Sequence, residues 1–227
     1  MLNMKREKIL AIGIICIFIC STGIVSSLNV NQQHIETDEK DAYDLLIITP
    51  VDFTEELTPL VDHKTDMGMD TILVTLDEIE SSPETSEGQD LAEKMKYYIK
   101  YSIESYDISY VLLVGGRVGQ SNDWYLPVRY VNMDNGWEAH YMSDLYFADI
   151  YDSEGGFSSW NSNDDAHFSE WIEGELPVDS NIDLYPDIAI GRLPCRSEGQ
   201  VTDIVNKIIT YETSTYDQSW FTKILAI

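Results

Sequence analysis

Oxygen-bearing side chains alternate along one polar segment in the middle of the chain. Asn161, Asn163 and Asp165 occupy every second position, and Glu170 follows them. This alternation lets a tight loop direct successive oxygens at one centre, which is how proteins hold hard cations such as calcium. The spacing resembles an EF-hand loop, but Ala166 stands at the glycine position. We therefore predict a calcium site at Asn161, Asn163, Asp165 and Glu170, with an Asx-rich surface turn as the alternative.

Three aspartates precede this loop and are further candidate ligands. They are Asp144, Asp149 and Asp152. Carboxylates are preferred ligands of hard cations, so each of them could complete a coordination shell. Of the three, we include Asp149 in the predicted metal set.

A cysteine and a histidine can form a nucleophilic pair, so we considered Cys195 with His140 or His167. Cys195 follows Gly191–Pro194 at a predicted turn into a helix. A small apolar packing role is the commoner fate of a lone cysteine in that position. We therefore predict no catalytic residue in this chain.

The charge balance limits the partners that the chain can have. There are 40 Asp and Glu against 14 Lys and Arg, which gives a formal net charge of -26. This excess of negative charge repels phosphate backbones and argues against nucleic-acid binding. With 44% hydrophobic and 11% aromatic residues, the chain is also too rich in core-forming residues for a disordered acidic tail. It fits a folded domain that holds cations.

The first 27 residues have the pattern of an export signal. Lys5, Arg6 and Lys8 precede an uncharged run of 17 residues, Ile9–Val25, and small residues follow at Ser26 and Ser27. We predict that residues 1–27 are cleaved on export, with an uncleaved membrane anchor through residues 9–25 as the alternative. The protein is then extracellular or at the cell surface. Residues 28–42 are polar, lack periodicity and predict a flexible lead-in.

Four apolar runs predict strands, at Leu45–Thr49, Thr71–Leu76, Tyr110–Val114 and Asp187–Arg192. Continuous runs of this length are typical of strands that are buried on both faces of a parallel sheet. Helical spacing separates the runs, most clearly at Leu91, Met95, Tyr98, Ile99 and Ile103. The alternation of strands and helices predicts an α/β fold with a mainly parallel sheet flanked by helices, preceded by an N-terminal hydrophobic helix.

The remaining segments predict loops, an insertion and one more strand. Asp77–Gly88 is acidic and rich in loop-forming residues, and Arg117–Asp187 is an irregular insertion at the carboxyl end of the sheet, where α/β proteins place their sites. Lys223–Ile227 predicts a further apolar strand with no covering element after it. We therefore expect the domain to be truncated at its C-terminus.

Several of these segments, taken in order, resemble the gingipain-like cysteine peptidases. The similarity runs from Tyr43 to Ile227, and its most specific part is Tyr185–Pro194 followed by Lys207–Glu212. The supporting segments are Tyr43–Pro50, Tyr110–Gly116, Ser143–Asp149 and Trp160–Trp171.

The resemblance implies a caspase-like fold of two subdomains, with a His–Cys pair in the second subdomain that cleaves peptide bonds. It also implies protein or peptide substrates and calcium near the Asn–Asp loop. In the family, the histidine of a Gly-His-Gly segment and the catalytic cysteine follow the strand that begins here at Lys223. Neither segment is present, so the resemblance assigns no catalytic residue to this chain.

The leading hypothesis is therefore the N-terminal part of an exported gingipain-like cysteine endopeptidase, inactive as this fragment. Residues 43–227 would form an incomplete domain that lacks the catalytic subdomain. A non-catalytic, calcium-dependent extracellular binding or adhesion module is the alternative. A structural domain anchored through residues 9–25 is a third possibility.

Overall fold

Four parallel strands form the main sheet of the protein. The computed structural model describes residues 42–134, 140–165, 167–172, 177–215, 218–220 and 222–224. Its strands are β1 (Leu45–Thr49), β2 (Thr71–Thr75), β3 (Tyr110–Val114), β4 (Tyr130–Asp134), β5 (His140–Met142), β6 (Trp171–Ile172) and β7 (Ala189–Leu193). The main sheet has the order β2-β1-β3-β7, and all three pairings are parallel. This confirms the predicted α/β fold with its mainly parallel sheet.

Helices cover both faces of this sheet. They are α1 (Thr54–Asp66), α2 (Leu76–Ser81), α3 (Leu91–Tyr106) and α4 (Glu198–Ser214). Successive side chains of a strand point to opposite faces. Leu46 and Ile48 of β1 accordingly pack in one core with α2 and α3, whereas Leu45 and Ile47 pack in a second core with α1 and α4. The burial of every residue of β1 follows from this two-sided cover.

Part of the segment predicted as an acidic loop, Asp77–Gly88, is helical. The Thr75 hydroxyl accepts a hydrogen bond from the Glu78 amide, and the Glu78 carboxylate accepts one from the Thr75 amide. This reciprocal capping starts α2 directly after β2, and Ile79 is buried against the sheet. The loop prediction was wrong here because six residues are too few to display a helical period.

The insertion between β3 and β7 builds a small second sheet with the order β5-β4-β6. Strands β4 and β5 are antiparallel, and β4 and β6 are parallel. Tyr146, Phe147, Trp160 and Phe168 of the insertion are buried in the same core as α3. The insertion is therefore packed on the main sheet and contributes to its core.

Two predictions concern the ends of the chain. The predicted signal or anchor at residues 1–27 lies outside the described residues, as does the predicted lead-in except for its last residue. The part of the chain that the structure describes has no helix long and apolar enough to cross a bilayer. Of the strand predicted at Lys223–Ile227, only Lys223 and Ile224 are described; neither is in a strand, and Ile224 is 98% exposed.

Candidate functional site

Arg192 fixes the insertion to the carboxyl end of the main sheet. It is near the end of β7, and its guanidinium donates to both carboxylate oxygens of Asp144, at 2.7 and 2.8 Å. The same guanidinium donates to the backbone carbonyls of Gly115, Leu126 and Pro127, at 2.9 to 3.2 Å. A planar group with five donors suits this kind of multiple recognition. Asp144, a candidate metal ligand, is therefore committed to a structural ion pair.

Asp187 provides a second attachment just before β7. Its Oδ2 accepts hydrogen bonds from the backbone amides of Ile150 and Tyr151, at 2.7 and 2.8 Å. Asp187 and Arg192 both belong to the Tyr185–Pro194 segment, which carried the most specific part of the resemblance. The polar residues of that segment thus hold the insertion in place.

Lys96 extends from α3 beneath the insertion and is fully buried. Its ammonium donates to the Ser158 carbonyl and lies 4.3 Å from the centre of the Tyr146 ring. Burial lowers the pKa of Lys96 to about 7, and the nearby Asp149 carboxylate opposes this shift. A long apolar stem with a charged end lets one helical residue bridge the sheet layer and the insertion.

Arg129 forms a second cationic attachment to α3. Its guanidinium donates to both oxygens of Asp90, at 2.8 Å each, and Asp90 also caps the N-terminus of α3. The guanidinium carbon lies 3.5 Å from the centre of the Phe168 ring. Arg129 therefore connects the start of α3 to the loop that contains the predicted metal ligands.

Asp149, one of the predicted metal ligands, is fully buried. Its Oδ2 accepts a hydrogen bond of 2.9 Å from the indole nitrogen of Trp160. Burial raises the pKa of Asp149, while the Trp160 and Lys96 contacts oppose this change. The structure thus places Asp149 in the core beneath the loop, apart from the exposed Asp165 and the half-buried Glu170.

The predicted loop is held by hydrogen bonds among its own side chains and backbone. The Asn161 amide donates to the Asp165 carbonyl at 2.6 Å and accepts from the Asp165 backbone amide at 3.0 Å. The Asn163 amide donates to Asp165 Oδ2 at 2.9 Å. These contacts correspond to the Asx-rich turn given above as the alternative, and they occupy the side chains of Asn161 and Asn163.

Asp179, which sequence reasoning missed, holds the two ends of this loop together. Its buried carboxylate accepts from the Ser162 amide at 2.7 Å and from the Glu170 amide at 2.8 Å. Asp179 lies beyond the loop in sequence, and no local spacing connects it to Ser162. Only the tertiary fold brings the three residues together.

Two of the predicted ligands do come together, with one further residue. Asp165, His167 and Glu170 each offer a ligand atom within 4.8 Å of the others. The His167 backbone amide donates to Asp165 Oδ1 and holds the pKa of Asp165 below its usual value. Two carboxylates and an imidazole form a donor set that suits a divalent cation, and the carboxylates are the part that suits calcium. From the sequence, His167 is a candidate only as a partner of Cys195.

Cys195 lies in the core between the sheet and helices α1 and α4. Burial raises the pKa of its thiol and so disfavours the thiolate that a nucleophile requires. The Cys195 carbonyl accepts a hydrogen bond of 2.7 Å from the Gly116 amide, which joins β3 to the segment after β7. In the described residues, no hydrogen bond connects Cys195 with a histidine.

Comparison with known families gives one match over most of the chain, to a model described as peptidase family C25, at residues 38–227. The chain belongs to peptidase family C25, the gingipain family. The resemblance drawn from the sequence motifs is thereby confirmed. Members of this family are cysteine peptidases. A search of curated proteins found no match.

Two solved structures are similar to parts of this chain. Dimeric latent PorU from Porphyromonas gingivalis matches 76% of this chain and 16% of its own, at 18% identity and a TM-score of 0.50. A complex of the pro- and mature domains of RgpB from Porphyromonas gingivalis matches 74% of this chain and 29% of its own, at 20% identity and a TM-score of 0.46. The chain thus spans less than a third of the length of either structure.

Proposed function

We propose that this chain forms the N-terminal, sheet-bearing part of the catalytic domain of an exported cysteine-type endopeptidase that acts on protein or peptide substrates. The observation that carries the proposal is the C25 family match over residues 38–227. The parallel sheet supports it, because α/β proteins place their sites at the carboxyl ends of such strands. Arg192, near the carboxyl end of β7, holds the insertion at that end.

In the proposed enzyme, an imidazole accepts the thiol proton, and the thiolate attacks the scissile carbonyl while backbone amides stabilise the oxyanion. By the resemblance, the histidine of this step belongs to a Gly-His-Gly segment and the cysteine to a later segment. Neither segment is among residues 1–227. The role of residues 43–227 is to position the loops around the cleft. Arg192 contributes by binding Asp144 and three backbone carbonyls of those loops.

The proposal includes a calcium-binding role for the loop after Trp160. Asp165 and Glu170 supply two carboxylates, and His167 lies beside them. A cation held there would stabilise a loop that contacts the core through Phe168, which is buried against Arg129. Export by residues 1–27 is the remaining part of the proposal and rests on their basic, apolar and small-residue pattern.

The test begins with the coding DNA downstream of the Ile227 codon. Continuation into a Gly-His-Gly segment and a later cysteine is expected. The protein encoded by that longer reading frame should hydrolyse casein, and alkylation of its thiols should abolish the activity. Cys195→Ser should leave the hydrolysis unchanged, because Cys195 is a buried packing residue in this proposal. Residues 1–227 alone should show no hydrolysis.

A calcium-dependent extracellular binding module is the second candidate, favoured by the Asp165, His167 and Glu170 cluster. A stop codon directly after Ile227, together with a secreted and folded product, would support this module and contradict the peptidase. Loss of hydrolysis in Cys195→Ser, with folding retained, would contradict the packing role assigned to Cys195.

A further inference from the structure

A cluster of tyrosines lies where α3 ends, beside the start of β1. Its members are Tyr43, Tyr98, Tyr101 and Tyr106, and all of them are half-buried. The centre of the Tyr106 ring is 5.5 Å from that of Tyr43 and 5.4 Å from that of Tyr101. The Tyr98 and Tyr101 ring centres are 5.8 Å apart. These are the distances of edge-to-face and tilted aromatic contacts, so the rings form one continuous group.

Backbone hydrogen bonds hold this tyrosine cluster in place. Tyr106 is the last residue of α3, and its carbonyl accepts a hydrogen bond of 3.0 Å from the Tyr43 amide. Asp107 follows with a left-handed backbone, at a φ of 61°, and its amide donates to the Ile103 carbonyl. This arrangement ends the helix at a defined residue. The positions of the Tyr101 and Tyr106 rings are therefore set by the end of the helix.

Tyr101 and Tyr106 are placed to react with each other. Their hydroxyl oxygens lie 3.3 Å apart, and their ring planes are at 81°. In a dityrosine, a bond joins the two ring carbons that neighbour the hydroxyl-bearing carbons, so the two hydroxyls are again close together. To form this bond, the ring centres must approach by less than one carbon–carbon bond length, and the rings must turn. The turn costs little, because the second side-chain torsion of tyrosine is broad.

Oxidants can reach this pair from the solvent, because neither side chain is fully buried. An electron can pass between rings in contact, so a radical formed on Tyr43 or Tyr98 can also reach the pair. The net charge of -26 repels a second copy of the chain. Coupling within one chain is therefore favoured over coupling between two chains.

We propose that Tyr101 and Tyr106 form an oxidative modification site, where a one-electron oxidant, such as a haem peroxidase with hydrogen peroxide, joins them in a dityrosine. Each phenol gives one electron to the oxidant and one proton to the solvent, which leaves two phenoxyl radicals. The radicals couple carbon to carbon, and the hydrogen of each coupled carbon moves to its phenolic oxygen. One peroxide molecule takes up the two electrons and two protons and becomes two water molecules.

The new bond spans the last turn of α3 and fixes this turn beside Tyr43. This inference goes beyond the proposed function, because the coupling requires neither a peptidase site nor a bound cation.

The test treats the full chain with a plant haem peroxidase and hydrogen peroxide at low protein concentration. The product should show dityrosine fluorescence and migrate as a monomer under denaturing conditions. A glutamate-specific peptidase cuts the denatured product after Glu104, between the two tyrosines. The peptides that contain Tyr101 and Tyr106 should remain joined, with two hydrogens less than their summed mass, and tandem mass spectrometry assigns the joined residues. Met67, which is exposed, gains oxygen instead, so its oxidation is distinguished by mass.

Variants identify the coupled residues. Tyr101→Phe and Tyr106→Phe should each abolish the joined peptides, because phenylalanine has no hydroxyl from which a phenoxyl radical can form. Tyr185→Phe is the matched control, because Tyr185 is 76% exposed and lies outside the tyrosine cluster. It should give the joined peptides as the parent does. Near-ultraviolet circular dichroism verifies that each variant is folded before oxidation.

Three results would overturn the proposal. They are a treated chain without dityrosine, dityrosine that occurs only between chains, and joined peptides that map to a pair other than Tyr101 and Tyr106. Oxidation in urea is a further control and should give a mixture of pairs. If the unfolded chain gave the same single pair in the same yield, nearness in sequence would select the pair, and the role assigned to the fold would be refuted.

Discussion

At the scale of single residues, Lys96 is the group whose ionisation we expect to affect stability. Its pKa is lowered to about 7 in the folded chain, against 10.5 for an unperturbed lysine. Between these values the unfolded chain binds more protons than the folded chain, so the free energy of unfolding rises with pH from about 7 to 10.5. Urea unfolding at pH 7 and pH 9 should show this rise.

Variants that each lack one lysine amine test whether Lys96 causes the rise in stability between pH 7 and pH 9. Lys96→Met alone removes the nearby positive charge that favours the ionised form of the buried Asp149, and this adds a penalty of its own. The double variant Lys96→Met with Asp149→Leu avoids that penalty and should lose the rise between pH 7 and pH 9. Lys100→Met, on the same helix but paired with Glu104 at the surface, should keep it. An equal rise in the double variant would show that Lys96 is not its source.

Arg192 is a second residue whose loss has a defined consequence. Arg192→Ala removes a bidentate pair with Asp144 and the donors to three carbonyls, and it leaves these groups without their partner. We expect a loss of about 3 to 5 kcal/mol in the free energy of unfolding, measured by urea titration. Arg196→Ala, at an exposed neighbouring position, should change stability by less than about 0.5 kcal/mol. Similar losses in both variants would contradict the role given to Arg192.

At the scale of elements, the approach of β3 to the segment after β7 depends on Gly116. A Cβ added there would lie 2.3 Å from the Pro194 carbonyl oxygen, which is backbone and has little freedom to move. Gly116→Ala should therefore cost about 1 to 3 kcal/mol, as overpacking does, in thermal or urea unfolding. Gly191→Ala, in β7 with nothing within 4 Å of its added Cβ, is the control and should be nearly neutral. Equal stability of the two variants would exclude this steric account.

The same elements show how far the sequence predicts the fold. The strands β1, β2, β3 and β7 were predictable, because each is an unbroken apolar run that the parallel sheet buries. Helix α2 was not, because it is a single short stretch started by the Thr75–Glu78 capping box. The second sheet escaped prediction because β6 has two residues and β5 has three exposed ones.

The candidate site was predictable only where its residues are local. Spacing along the loop predicted Asp165 and Glu170, which the structure brings together. Spacing could not reveal that Asp149 turns into the core beside Lys96, since that placement depends on the packing of α3 under Trp160. It likewise could not reveal Asp179, whose contacts with Ser162 and Glu170 join segments distant in sequence. Long-range polar contacts have no periodicity to detect.

At the scale of the whole molecule, the net charge of -26 determines how calcium binding must be measured. A chain this acidic gains stability from any cation through screening of its self-repulsion. Only the difference between calcium and an equal ionic strength of sodium chloride therefore reports on a site. Magnesium at the same concentration is a second reference, because it demands a more rigid octahedral shell.

Calcium at about one hundred times its dissociation constant should stabilise the folded chain by about 2.7 kcal/mol. For a domain of this size, each kcal/mol corresponds to a rise of roughly 2–4 °C in the melting temperature. Glu170→Gln removes one of the two gathered carboxylates and should abolish most of this rise, whereas Glu154→Gln should retain it. Zinc provides the contrast, because His167→Gln should weaken a zinc-dependent rise more than a calcium-dependent one. Melting curves that coincide in calcium, sodium chloride and chelator would contradict the proposed metal site. The Asn161 and Asn163 hydrogen bonds would then be the interactions that hold the loop without a cation.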